Sequence, residues 1–142
     1  MPKPPKTARE LYGEAVDDPW YIDNYWPIVQ SFGSVAVETE DGSCQGSSLV
    51  LYHDKDSDCF SVLEFDWGSC SGCDALQACN TEMEIDQLIQ ELFDSLKVFS
   101  RAQFLEWLTT HDFEGSCDRE FQLRFKKACE EYVIDGKGVC HA

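Results

Sequence analysis

The chain has 142 residues, of which 43% are hydrophobic and 13% aromatic, enough for one domain (1–142) with a core that needs no disulfides. That excludes disorder, and with no apolar run near the roughly 18 residues that cross a bilayer it excludes a membrane-spanning segment. The net charge of −16 lies almost wholly between residues 11 and 116, which hold −18, while residues 1–10 carry +2 and residues 117–142 balance to zero.

Such a field repels DNA, RNA and anionic membrane and draws basic proteins, although solubility or a saline setting would call for the same charge. The start, MPKPPKTARELYGEA, has lysines but no apolar stretch of signal-peptide type. A cytoplasmic setting is expected, where the eight cysteines are thiols or metal ligands rather than bridges.

In chain order, Thr7 and Glu10 stand at capping-box spacing and predict a short helix. Asp18 before Pro19 predicts a second, with Ile22, Tyr25, Trp26 and Val29 on one face, which Pro27 interrupts to give a kinked helix or two short ones ending before Gly33. SVAVETE alternates as a strand, and CQGSSLVLYHD and CFSVLEFDW flank the polar turn DKDSD as a hairpin. Thr81 with Glu84 opens a helix whose apolar stripe runs from Ile85 to Leu96, and Ser100 with Gln103 opens another carrying Phe104, Leu105 and Leu108. The last helix sets Phe121, Phe125, Ala128, Cys129 and Tyr132 on one face. The expected fold is α+β: N-terminal helices, a three-stranded antiparallel sheet, then three helices packed on one face. Residues 1–6 and 136–142 are expected to be loose.

The segment FDWGSCSGCDALQAC holds the densest local chemistry. Cys70 and Cys73 form a C-x2-C pair around Gly72, and Cys79 follows as a third thiol, so tetrahedral zinc is one reading. Its fourth ligand would come from Cys44, Cys117, Cys140, His141, His111 or His53. A dithiol between a strand and a helix capped by Asp74 is the redox reading, opposed by the flanking Asp66 and Asp74, which raise thiol pKa. Thiols filling small buried spaces beside turn-forming glycines are the third, and GSCSG as an anion cradle is a fourth, disfavoured by the acidic surroundings.

The run CQGSSLVLYH…FSVLEFDWGSCSGCDALQAC, followed by HDFEG, resembles a pattern in small uncharacterised proteins of bacteria and their phages. There a glutamine-glycine strand leads into W/Y-G-S-C-S-G-C-D-A-L, and a His-Asp or Asp-Trp element follows. The resemblance spans residues 44 to about 115, at Gln45, Gly46, Trp67 to Leu76, His111 and Asp112. It implies a shared fold and a phage or mobile-element setting, and no reaction.

Asp54, Asp56 and Asp58 alternate like the start of a calcium loop, but Cys59 and Phe65 occupy the positions needing glycine and glutamate, which leaves a solvated turn. His53 beside Asp54 and His111 beside Asp112 are the candidate general bases, though adjacent strand residues point apart. No nucleophile elbow, P-loop or zinc-protease helix is present, so the enzyme reading stays subordinate. Tyr25 and Trp26 read as core, Trp20 and Tyr21 as partner anchors. Arg119, Arg124, Lys126 and Lys127 read as a solvated face.

The expected function is a non-enzymatic acidic binding protein of phage or mobile-element type, inhibiting a basic host defence or nucleic-acid-handling protein. Its expected partner-binding residues are Glu38, Glu40, Asp54, Asp56, Asp58, Trp20 and Tyr21. The alternative is a zinc-binding or thiol-redox protein using Cys70, Cys73 and Cys79.

Overall fold

The structure, a computed structural model, describes residues 2–42, 45–68, 74–113 and 119–135, and all of their side chains except those of 21, 41, 42, 45, 119 and 135. The first helix, α1 (Ala8–Tyr12), starts at the expected reciprocal cap. The Glu10 N–H donates to Thr7 Oγ1 at 3.1 Å, and the Thr7 N–H donates to Glu10 Oε1 at 3.2 Å. Two 3₁₀ turns follow, Gly13–Asp17 and Pro19–Tyr21, then α2 (Trp26–Ser31). Of the two outcomes expected from Asp18 onward, a kinked helix or two short ones, the structure has the second, a 3₁₀ turn at Pro19–Tyr21 and α2, both ending before Gly33. Pro27 lies in the first turn of α2, where its missing N–H costs nothing, so it starts a helix instead of bending one. Near the start of the chain the Lys3 N–H donates to the Phe32 carbonyl at 3.0 Å. Residues 136–142, expected to be loose, lie outside the described residues.

Four strands form one antiparallel sheet in the order β1 (Val35–Gly42), β2 (Gln45–Asp54), β3 (Cys59–Gly68) and β4 (Lys97–Ser100). The fourth strand corrects the expected three. It is a short edge strand pairing Cys59 with Ser100 and Val62 with Lys97, and the exposed Lys97 suits such an edge. Three helices complete the chain: α3 (Glu82–Asp94), α4 (Arg101–Thr110) and α5 (Arg119–Asp135). Ser100 ends β4 and caps α4 at once, accepting from the Gln103 N–H at 3.2 Å.

The sheet is covered on both faces, not one. On one side Val50, Tyr52 and Leu63 pack under α1, α2 and α3, with Ile28, Val29, Phe32, Ile85 and Ile89. On the other Leu49, Leu51, Phe60 and Val62 pack under α4 and α5, with Phe104, Leu108, Phe121, Phe125 and Cys129. Successive strand side chains point to opposite faces, so a strand apolar at every position, such as Leu49–Tyr52, must be sandwiched. Register slips by one residue between Val35 and Val37 in β1, which pair with Tyr52 and Leu51. This bulge turns Val35 toward α1–α3 and Val37 toward α4–α5, and so sends Glu38 back to the α1–α3 side, opposite Val50. Among the described residues no helix is long and apolar enough to cross a membrane.

Candidate functional site

The sheet divides the charge of the molecule. Residues 7–32 and 74–96, which carry α1, α2 and α3, contain eleven acids and one cation, Arg9, for a net −10. Residues 97–113 and 119–135, which carry β4, α4 and α5, contain six of each sign and are neutral. Arg9 is engaged on its own side, donating to Asp17 at 2.6 Å and Glu82 at 3.0 Å. Asp86 on α3 accepts from the Ala8 N–H at 2.7 Å, joining an acid to the first turn of α1. Glu14, Asp18, Asp23 and Glu91 remain exposed on this face.

The acids expected to bind a partner do not form one surface. Glu38 is corrected most sharply: it is 2% exposed, because the β1 bulge turns it under α2. Asp54 accepts from the Asp56 N–H at 3.1 Å within the hairpin turn. Asp58, whose φ of 53° an aspartate tolerates at a turn, is gripped by Arg101 through Nε at 2.6 Å and Nη2 at 3.0 Å. Glu40 and Asp56 are exposed, and so is Trp20 at 82%. The side chain of Tyr21 lies outside the described residues.

Of the cysteine segment, Cys70 and Cys73 lie outside the described residues, and its two ends are well defined. Gly68 closes β3 and Asp74 opens a turn over residues 75–78, where a short helix was expected. The Asp74 carboxylate accepts from the N–H of Gly68 at 2.9 Å, Leu76 at 2.9 Å and Gln77 at 3.1 Å, and from the Tyr25 hydroxyl at 3.0 Å. Gln77 Nε2 returns a bond to the Gly68 carbonyl at 2.7 Å. Cys79 is buried and donates to the Ala75 carbonyl; burial, then Glu84, Asp74 and Glu91, push its thiol up to about 11. Among the described residues no group of three or more His, Cys, Asp or Glu side chains could hold a metal ion.

Beside Asp74 a cavity of about 190 Å³ opens between α2 and the sheet. Its aromatic wall is Tyr25, Trp26, Phe65 and Trp67, and Asp23, Glu38, Glu40 and Asp74 supply carboxylates. Sequence reasoning assigned Tyr25 and Trp26 to core and gave Trp67 no role. The aromatic run WYIDNYW at residues 20–26 and the FDW at residues 65–67 were the available signal.

A larger cavity of about 620 Å³ adjoins the β2–β3 turn, lined by His53, Tyr132 and Cys59 with acids and lysines of both signs. His53 pairs with Asp58 at 2.8 Å and not with its neighbour Asp54, as strand geometry requires. Nε2 faces the Asp58 carboxylate, and Nδ1 shares a hydrogen bond with the Tyr132 hydroxyl. His53 also stacks on Phe60 with ring centroids 4.3 Å apart. This network ties the hairpin turn to α4 and α5. His111 stacks on Trp107, and burial, then Lys97, lower its pKa.

Fold and site together define an acidic three-layered α+β protein, helices on both faces of one sheet, with an aromatic cavity on its α1–α3 side. No protein-family model, no curated protein and no solved structure matches the chain.

Proposed function

We propose that the chain is an acidic binding protein that captures a basic protein partner through its α1–α3 face. The partition of charge between the helical layers carries this reading: −10 in the segments that carry α1, α2 and α3 against zero in the described segments that carry β4, α4 and α5. A one-sided field orients an approaching cationic partner before contact and raises its encounter rate, whereas charge serving solubility alone has no reason to be one-sided. The partner class that fits is a protein whose own surface is built for phosphate backbones, since its lysines and arginines accept carboxylates in the same way. The resemblance of the cysteine motif to phage proteins supports an inhibitory role of this kind.

The test is capture of an arginine- and lysine-rich peptide by the protein and by two charge-reversed variants. In the first, Glu14, Asp18 and Glu91 become lysine; in the second, Glu106, Glu130 and Glu131 on α4 and α5 do. Affinity is expected to fall at least tenfold in the first variant and little in the second, and to weaken with salt in the parent protein. Equal losses in both would mean that total charge, not the face, governs binding.

A further inference from the structure

We propose that the cavity between α2 and the sheet is a socket for a single cationic side chain, arginine or lysine, presented by the basic partner. The inference rests on the acidic-binding reading and names the chemistry at its centre. At about 190 Å³ the cavity is smaller than the roughly 300–1,000 Å³ of pockets that enclose drug-sized molecules, and is of the scale of one long side chain. Its wall pairs two features that both favour a cation. Trp26, Phe65 and Trp67 are half-buried, with Tyr25 behind them, and the negative π-faces of such rings attract ammonium and guanidinium groups. Four carboxylate residues join them, and among the described residues no lysine, arginine or histidine lines the cavity.

Carboxylate residues border the space at two levels of burial, Glu38 at 2% exposed and Glu40 exposed. The rings are also fixed in advance. Tyr25 donates to Asp74 at 3.0 Å and accepts from the Leu76 N–H at 3.0 Å, and the Trp67 indole donates to Ser48 Oγ at 3.0 Å. Their polar atoms are satisfied within the protein, which leaves the ring faces for a ligand and lowers the ordering cost of binding. The aliphatic stem of arginine or lysine would lie against Val29 and Val50, which complete the wall.

The probes are Nα-acetyl-arginine methylamide, its lysine counterpart and the neutral citrulline analogue, followed by the indole N–H resonances of the four tryptophans. Saturable shifts are expected at Trp26 and Trp67 with both cationic probes. Trp20, 82% exposed, and Trp107, in the opposite layer, should stay still. The citrulline analogue should bind at least tenfold more weakly, and Glu38→Gln should weaken the arginine probe about tenfold. Should Glu38→Gln fail to fold, Glu40→Gln, an exposed position on the same wall, takes its place. Citrulline binding as tightly as arginine, or no saturable shift at Trp26 and Trp67, overturns the socket. If the peptide is lost on reversal of the α1–α3 acids while the small probes stay silent, the socket fails and the acidic face stands. If the probes bind but the two charge-reversed variants behave alike, the socket stands and the face reading fails.

Discussion

The Asp74 carboxylate accepts a hydrogen bond from the Gly68 N–H at 2.9 Å and so joins the two ends of the cysteine-rich segment. The same side chain holds the turn at Leu76 and Gln77 and fixes Tyr25 in the aromatic wall. One buried carboxylate therefore links the end of β3, the turn leading to α3, and the cavity.

Removing it should be costly. Asp74→Ala leaves the N–H groups of Gly68, Leu76 and Gln77 without this acceptor, and buried charged-acceptor bonds of this kind make a loss of about 3–5 kcal/mol the expectation. Asp74→Asn keeps one acceptor oxygen and should lose about half as much. Urea unfolding of both variants checks this, and an Ala variant within experimental error of the parent would refute it.

Acid should weaken the clamp at the hairpin turn. The Arg101 guanidinium, and after it His53, lower the Asp58 carboxyl from 3.8 to about 2. A carboxylate whose pKa is depressed by folding adds stability above its unfolded pKa and loses it as pH falls through the folded one. The melting temperature is expected to drop between about pH 4 and pH 2 through this group. Asp58→Asn should melt lower at pH 7 and show a smaller drop in that window. A variant with an unchanged acid profile would show that Asp58 contributes nothing there.

The thiols should differ in reactivity. With its pKa near 11, Cys79 has only about a thousandth of its molecules as thiolate at pH 8. Burial, then Glu130, raises the Cys129 thiol as well. Cys59 is only half-buried. Peptide mapping after iodoacetamide treatment at pH 8 should find Cys59 modified well before Cys79 and Cys129, and all three modified after denaturation. Early labelling of Cys79 in the folded protein would contradict its burial.

Thr39 offers a stabilising change. Its hydroxyl is buried and has no hydrogen-bond partner among the described residues. Thr39→Val keeps the shape and removes an unsatisfied polar group, so thermal or chemical unfolding should report a gain of about 1 kcal/mol. A loss instead would mean that the hydroxyl is satisfied in solution.

The caps show how far the local signals reach. Thr7 with Glu10 and Ser100 with Gln103 form reciprocal boxes as their spacing predicts. At α3 the Thr81 hydroxyl accepts from the Glu84 N–H as expected, but the Glu84 carboxylate accepts from the Asn80 N–H, one residue earlier. Such signals work because both partners lie within one turn. β4 escaped because four residues with Val98 and Phe99 adjacent carry no alternation, and their pairing with β3 spans some forty residues of chain. Pro27 left a kinked helix and two short ones both open for a related reason: its effect depends on whether a helix already exists before it.

Sequence alone is enough for the sign and size of the charge, the starts of α1, α3 and α4, the hairpin and the α+β class, each a matter of composition or of neighbours along the chain. Tertiary packing is what sets the acid-rich helices α1, α2 and α3 together on one side of the sheet and the charge-balanced α4 and α5 on the other. It also decided that Glu38 is buried, and that Tyr25, Trp26, Phe65 and Trp67 surround one cavity. Those outcomes depend on strand register, a single bulge in β1 and the side of the sheet each helix takes. A period of two tells that strand residues alternate, and leaves to long-range packing which face receives which layer.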